Sequence, residues 1–216
     1  MLSFDRKVFF RDLPTRTGLA PNPSAKEGLS LLLDDFEGDS GFTQIRDLAY
    51  VLATIRWETG QTFQPVKEKR ASHDKNPRLW EIQNRYWSSG FFGRGYVQIT
   101  WEDNYQKASE RLAGTNFTVS SGALTMQGDT LVKQPDLVLE PAIAYAIAAR
   151  GMSEGWFTGK KLSDFIQGGK PPDYVNARKI INGLDQAQTI AGYATAFELV
   201  LRASFQPQRD GIGARG

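Results

Sequence analysis

The sequence predicts a mainly α-helical domain with a small β-element near its middle. The first observation is a stripe of apolar residues between positions 45 and 55 that recurs at three- and four-residue steps. The second is a set of helix-start signals ahead of other apolar runs. The third is the segment 91–100, which is rich in glycine and aromatic residues and contains a candidate strand at 96–99.

Two helices are predicted in the first 60 residues. The first begins where Ser24 and Glu27 have the spacing of a capping box. The second runs from about 43 to 59 and carries the apolar stripe. Thr43 is its candidate N-cap, and Gly60 is well placed as the residue that follows its C-cap.

The rest of the chain alternates helices with irregular segments. Residues 61–90 carry many charges and few periodic apolar positions, so we expect an extended, partly irregular segment. A helix begins near Thr100, and the polar stretch 115–130 is expected to be a loop. Further helices are predicted at 140–152, 160–167, 173–182 and 186–204.

The composition excludes several classes of protein. The chain has 26 basic and 24 acidic residues, and a net charge of +2 is too small to indicate nucleic acid as a partner. It has no cysteine, which removes disulfides, thiol catalysis and thiolate metal sites. His73 is the single histidine, so a multi-histidine metal site is impossible, and we expect neither a metal nor an organic cofactor.

The length of 216 residues indicates one domain, which we place at 1–206, followed by a flexible tail at 207–216. Charged residues interrupt the N-terminal segment, so no signal peptide is predicted. The longest apolar run, 142–149, is too short to span a membrane. We therefore expect a monomer that is made in the cytoplasm and is not inserted in a membrane.

Glu58 is the most informative single residue. It lies beside the apolar stripe, three positions after Ile55, and in the last turn of the predicted helix. Partial burial and the helix dipole both disfavour the charged carboxylate there, so we expect a raised pKa. Glu68 lies ten residues later in a charged segment that we expect to be hydrated. Such an asymmetry separates a general acid from a general base.

Three groups of residues then match a known pattern in the correct order. They are Trp57-Glu58-Thr59-Gly60 with Gln64-Pro65-Val66-Lys67-Glu68, then Phe92-Gly93-Arg94-Gly95-Tyr96-Val97-Gln98-Ile99-Thr100 with Asn104-Tyr105, and finally Ile180-Ile181-Asn182-Gly183. Together they resemble glycoside hydrolase family 19. That family contains chitinases and many bacteriophage endolysins, and it belongs to the lysozyme-like superfamily.

The resemblance implies a lysozyme-like domain with two lobes around a cleft and the small β-element beside that cleft. It places Glu58 at the general acid and Glu68 at the general base of an inverting glycosidase. It also implies a set of substrate-binding residues whose amides and hydroxyls bind sugar without adding charge. This set is Gln98, Thr100, Asn104, Tyr105 and Asn182.

Two departures from the family pattern matter. Trp57 stands where the family commonly has histidine before the catalytic glutamate. The spacing between Glu58 and Glu68 resembles that of the compact bacterial and phage members. In the plant enzymes the second glutamate comes later, and Glu81 approximates that longer spacing, so it is a second candidate for the base.

Two further interpretations concern side chains within these motifs. One or two of the aromatic residues in the central segment are expected to touch substrate, and the others to be core. The set is Tyr86, Trp87, Phe91, Phe92, Tyr96, Trp101 and Tyr105. Arg94 is expected to anchor a carboxylate of the protein instead of binding glycan.

The sequence is therefore interpreted as a glycosidase that cleaves β-1,4 bonds of bacterial cell-wall peptidoglycan. An endolysin of this kind would stay in the cytoplasm until a holin opens the membrane. Lack of a signal peptide and of disulfides favours peptidoglycan over chitin. A chitinase acting on N-acetylglucosamine polymers is the first alternative, and a non-catalytic glycan-binding phage component is the second.

Overall fold

A computed structural model describes residues 2–207, and in that part of the chain it contains nine α-helices and two small antiparallel sheets. The helices are α1 (Arg6–Thr17), α2 (Pro23–Gly38), α3 (Ile45–Glu58), α4 (Pro77–Asn84), α5 (Glu102–Leu112), α6 (Thr130–Lys133), α7 (Pro141–Glu154), α8 (Leu162–Phe165) and α9 (Ala187–Ser204). The strands are β1 (Val66–Lys67), β2 (Arg94–Gly95), β3 (Asn116–Val119) and β4 (Gly122–Thr125), and 3₁₀ helices lie at Trp87–Ser89, Pro135–Leu139 and Asn176–Ile180. The prediction of a mainly α-helical chain with a small β-element is confirmed.

Helix α3 lies at the centre of the core. Every residue from Leu48 to Arg56 is buried, and the helix packs most extensively against α9, which also covers α1. The prediction of one apolar stripe was thus incomplete, since Tyr50 and Thr54 are buried as well. A helical segment that is buried on every side is mostly apolar, and the sequence of this segment follows that rule. Gly60 follows the C-cap with φ +58°, and this prediction is confirmed.

The two N-terminal helices differ from the prediction. Helix α1 was not predicted, because only Phe9 and Leu13 of its residues are buried and Pro14 interrupts its sequence. Its start is nevertheless well capped, since the Asp5 carboxylate accepts the backbone N–H groups of residues 7 and 8. Helix α2 begins at Pro23 with Asn22 as its N-cap, so Ser24 is not the cap.

The central β-element is displaced from its predicted position. Strand β2 pairs with β1 in antiparallel register, with Val66 opposite Gly95, whereas residues 96–98 form the turn that follows β2. Ile99 then pairs back with Arg94 through a single bridge. The segment 61–90, predicted to be extended and irregular, contains both β1 and the helix α4.

The later elements follow the prediction less closely than α3 does. Strands β3 and β4 form a hairpin in the stretch that was predicted to be a loop. The prediction missed them because four-residue strands of mixed polarity give only a weak alternating pattern. The region 173–182 contains a 3₁₀ helix, and α8 is shorter than 160–167.

The predicted tail, from residue 208 onward, lies outside the described residues. None of the described helices is long and apolar enough to cross a bilayer.

One half-buried acidic residue of α2 makes folding stability depend on pH. Burial raises the pKa of Asp35 from 3.8 to about 6, with smaller contributions from the charges of Asp34 and Asp39. The folded state therefore retains a proton between about pH 4 and pH 6 that the unfolded chain has lost. The free energy of unfolding falls as pH rises through this window and stays lower above it.

Asp35→Asn is therefore expected to stabilise the protein at pH 7 by about 1–2 kcal/mol, after allowing for solvent screening of a half-buried group, and to change little near pH 4. Urea denaturation at both pH values measures the difference. Asp34→Asn is the matched control and should give no gain, since Asp34 pairs with Arg6. An equal gain for Asp35→Asn at both pH values would contradict the assignment.

Candidate active site

A cavity of about 380 Å³ lies at the C-terminal end of α3. Its walls come from that helix, from the turn after β2, from the start of α5 and from the segment around 178–182. It is lined by Glu58, Val97, Gln98, Ile99, Thr100, Trp101, Asn104, Phe157, Arg178, Ile181 and Asn182. Five residues predicted from sequence to form a site thus meet in one place, and a cavity of this size suits a small ligand. They are Glu58, Gln98, Thr100, Asn104 and Asn182.

Glu58 is the last residue of α3, and its side chain is 16% exposed. Arg178 donates from Nη1 to Glu58 Oε1 at 2.6 Å. Burial raises the pKa of the Glu58 carboxyl, while the charge and hydrogen bond of Arg178 lower it, and the net direction is upward. The raised pKa predicted for this residue is confirmed. With Oε1 accepting from Arg178, the proton of the neutral acid belongs on Oε2.

Arg178 was missed by the sequence reasoning. It is 120 positions from Glu58 along the chain, and it lies in the 3₁₀ helix just before Asn182. Its side chain is 4% exposed, and its Nε donates to the carbonyl of Asp185. Nothing in the local sequence signals this pairing, since the ion pair depends on how the segment after α8 folds back onto α3.

Glu68 directly follows β1 and accepts three hydrogen bonds. Oε1 accepts from Gln83 Nε2 and from the Tyr86 hydroxyl, both at 2.8 Å, and Oε2 accepts from the backbone N–H of Gly93 at 2.9 Å. The prediction that Glu68 is simply hydrated was wrong, because α4 and the turn after it supply donors to a half-buried carboxylate. All three of these partners are donors, and Oε2 keeps a lone pair for another donor.

Gly93 brings Glu68 close to the cavity. A Cβ at this position would lie 2.8 Å from Gln98 Oε1 and 3.3 Å from Glu68 Oε2. Both side chains therefore rest against the same side of Gly93, and any larger residue would push them away. Glu68 does not line the cavity itself, but it is adjacent to Gln98, which does.

The turn between β2 and α5 holds two non-glycine residues with positive φ, namely Gln98 at +54° and Trp101 at +73°. Such conformations cost about 1–3 kcal/mol each and cluster at functional sites. Gln98 is fixed by donating from Nε2 to the carbonyls of Val66 and Gly95. The strained turn thus presents the polar side chains of Gln98 and Thr100 to the cavity.

The amides of the cavity each retain unused hydrogen-bonding capacity. Asn104 donates to the carbonyl of Thr100, and Asn182 accepts from the N–H of Gly183. Among the described residues, none forms a hydrogen bond with Gln98 Oε1, Asn104 Oδ1 or Asn182 Nδ2. These atoms form a neutral set of donors and acceptors beside Glu58, which is the chemistry that recognises hydroxyl and acetamido groups.

Two predicted site residues lie elsewhere. Tyr105 is fully buried, and its hydroxyl accepts from Arg94 and donates to the carbonyl of Phe92, so it is not positioned to bind substrate. Its predicted role is corrected to that of a core residue. Glu81 is exposed on α4 and does not line the cavity. The structure therefore brings Glu68, and not Glu81, next to the other candidate residues.

Arg94 anchors the loop that carries Gly93. Its side chain is 4% exposed and bonds Asp136 at 2.6 Å, the Tyr105 hydroxyl and the carbonyls of Gly90 and Phe92. The prediction that Arg94 anchors a carboxylate of the protein is confirmed. The contacts fix the backbone of residues 90–94, and with it the N–H that binds Glu68.

A second and larger cavity, of about 530 Å³, is lined in part by this loop and lies between Phe92, Asp136 and Glu140. We assign the site to the smaller cavity because the buried carboxyl and the unused amide groups converge there. Within residues 2–207, no three histidine or acidic side chains are grouped closely enough to hold a metal ion.

The pairing of Arg178 with Glu58 yields a test of the local electrostatics. Arg178→Gln removes the charge and should raise the pKa of Glu58 further, since both effects of Arg178 lower it. Arg178→Lys keeps the charge and should move the pKa less. A ¹³C titration of the Glu58 carboxyl in the two variants measures this independently of any activity. An unchanged or lower pKa in Arg178→Gln would show that the ion pair does not control Glu58.

Comparisons with known proteins relate this chain to solved structures through its fold. No family model matches the sequence, and no curated protein matches it. Two of the solved structures with a similar fold are chitinases. One is a crystal structure of a chitinase C variant with a glutamate-to-glutamine substitution, 19% identical, with 94% of this chain and 95% of that chain covered and a TM-score of 0.46. The other is chitinase C from Streptomyces griseus, 18% identical, with 94% and 78% covered and a TM-score of 0.48. At this level the assignment of function depends on the residues of the site.

Proposed function

We propose that the protein is a lysozyme-like glycoside hydrolase that cleaves a β-1,4 bond of peptidoglycan by inversion. The observation that carries the proposal is the pair of unlike carboxyls beside one cavity. Glu58 is mostly buried and has a raised pKa, and Glu68 is held by three donors next to Gln98, which lines the cavity. Two carboxyls in contrasting environments are what general acid and general base catalysis require.

In the proposed reaction Glu58 donates its proton from Oε2 to the glycosidic oxygen, which makes that oxygen a better leaving group. Glu68 accepts a proton through Oε2 from a water molecule, which then attacks the anomeric carbon from the opposite face of the sugar. The glycosidic C–O bond breaks as the new C–O bond forms. Glu68 ends protonated and Glu58 ends ionised, so proton exchange with solvent restores both.

The neutral amides in the cavity lining support a substrate with N-acetyl groups. Gln98, Asn104 and Asn182 offer amides with unused donors or acceptors, and they add no charge that would oppose the acidity of Glu58. Both peptidoglycan and chitin carry N-acetylglucosamine. The absence of cysteine favours peptidoglycan, because secreted chitinases of the family that the sequence resembles commonly contain disulfides.

The test is to digest purified peptidoglycan and, in parallel, a chitin hexasaccharide, and to identify the new reducing ends by mass spectrometry after borohydride reduction. Reduced N-acetylmuramic acid would support the proposal. Products from chitin alone would replace peptidoglycan with chitin as the substrate. No product from either would contradict the proposed catalysis. Proton NMR of the first product formed should show the α-anomer, and the β-anomer would contradict inversion.

A further inference from the structure

Trp101 differs from the other aromatic residues of the central segment in its exposure. Its side chain lines the cavity and the residue is 47% exposed. Tyr96 and Tyr105 are fully buried, and Tyr86 is 8% exposed. Trp87 and Phe92 stack on each other with ring centroids 4.4 Å apart. Among these residues only Trp101 therefore combines an exposed ring with a position on the cavity wall.

The backbone holds Trp101 in a costly conformation. Its φ of +73° lies in the left-handed region, which a bulky side chain rarely adopts. It also occupies the N-cap of α5 without offering a side-chain cap, where serine, threonine, aspartate or asparagine is usual. The backbone N–H of Trp101 donates to the carbonyl of Phe91 at 2.8 Å, which fixes this geometry. A strained backbone at a position that also lacks a side-chain cap indicates that the exposed indole has a functional role.

Trp101 is connected to Glu68 through one residue. The ring of Tyr86 packs edge-to-face against the indole, with centroids 5.1 Å apart and an interplanar angle of 70°. The hydroxyl of the same tyrosine donates to Glu68 Oε1 at 2.8 Å. A ligand that presses on the indole would therefore act on the residue that orients Glu68.

We propose that Trp101 is the platform on which the apolar face of a hexosamine ring stacks at the mouth of the cavity, and that Tyr86 links this platform to Glu68. A pyranose ring presents axial C–H groups on one face, and an indole offers the large, rigid apolar surface that matches it. This inference rests on the proposed function, since it names the wall that binds the sugar beside the two carboxyls. Trp101 acts in binding, and Tyr86 is a positioning residue.

The experiment measures binding apart from catalysis. In the Glu58→Gln background, chitotetraose is titrated into each variant while tryptophan fluorescence and calorimetric heat are recorded. Trp101→Ala should weaken binding about tenfold and abolish most of the fluorescence change. Trp57→Ala is the matched control, since Trp57 is also exposed, at 36%, but does not line the cavity. It should bind as the parent does.

A second variant distinguishes loss of the indole from a failure of the protein to fold. Trp101→Gly accommodates the positive φ without strain, so it should fold and still lose the platform. Equal affinity in the parent, Trp101→Ala and Trp101→Gly would overturn the inference while leaving the proposed function intact. Failure of the parent Glu58→Gln protein to bind either chitotetraose or a peptidoglycan tetrasaccharide would overturn both.

The link to Glu68 has its own readout. In the otherwise unchanged enzyme, Tyr86→Phe keeps the ring against Trp101 and removes the hydrogen bond to Glu68. It should lower kcat about tenfold while leaving the affinity for chitotetraose unchanged in the Glu58→Gln background. A change in affinity without a change in kcat would show that Tyr86 only supports the binding wall, which would overturn the link.

Discussion

Glu58→Gln is expected to lower kcat on purified peptidoglycan about a thousandfold, within the range that general acid catalysis contributes. Glutamine has the same shape, and its carbonyl can still accept the hydrogen bond that Arg178 donates to Oε1. It has no acidic proton to give to the leaving oxygen. The rate of appearance of reducing ends, measured under saturating substrate, reports the loss.

Two control measurements establish that the Glu58→Gln protein still folds and still binds peptidoglycan. The far-ultraviolet circular dichroism should be unchanged, and the protein should still sediment with insoluble peptidoglycan, because the amides of the cavity are untouched. Retention of more than a tenth of the parent rate by a folded Glu58→Gln protein would remove Glu58 from the role of general acid.

Glu68→Ala is expected to reduce hydrolysis about a hundredfold to a thousandfold, since water at the site would then lack a proton acceptor. Sodium azide is a nucleophile that needs no base, so it should restore cleavage and yield a glycosyl azide of inverted configuration. Mass spectrometry and NMR of the product identify that compound. Glutamine is a less suitable replacement here, because its NH₂ group would face the donors of Gln83, Tyr86 or Gly93.

Glu81→Ala is the matched control for this experiment. Glu81 is exposed on α4, whereas Glu68 lies against Gly93 and next to Gln98, which lines the cavity. Its removal should leave hydrolysis within about twofold of the parent, as for an exposed side chain without contacts to the site. If azide rescued Glu81→Ala and not Glu68→Ala, the assignment of the base would be reversed.

The parts of the fold that follow from the sequence are those with a strong local signal. The stripe between Ile45 and Ile55 predicted α3, and Gly60 marked its end, so the place of Glu58 in the last turn followed directly. Helix α1 and the hairpin of β3 and β4 were missed, because the first buries only two residues and the second has short strands of mixed polarity.

Five of the residues that line the cavity were predictable from the sequence, but their contacts were not. Arg178 meets Glu58 only because distant segments fold together, and no local pattern encodes that. The three donors to Glu68 come from α4, from the turn that follows it and from a backbone amide, none of which a charged sequence segment reveals. Burial of Tyr105 likewise depends on its partner Arg94.

The hydrogen bond from Gly93 to Glu68 gives the ¹⁵N-labelled protein a reporter that needs no attached probe group. A backbone amide that donates to a carboxylate is protected from exchange with solvent and carries a distinctive proton chemical shift, whereas side-chain geometry is harder to follow in solution. The ¹⁵N–¹H signal of this one glycine therefore follows the orientation of Glu68. Glycine amides have characteristic nitrogen shifts, so the state of the base can be monitored in a single spectrum while substrate or inhibitor is added.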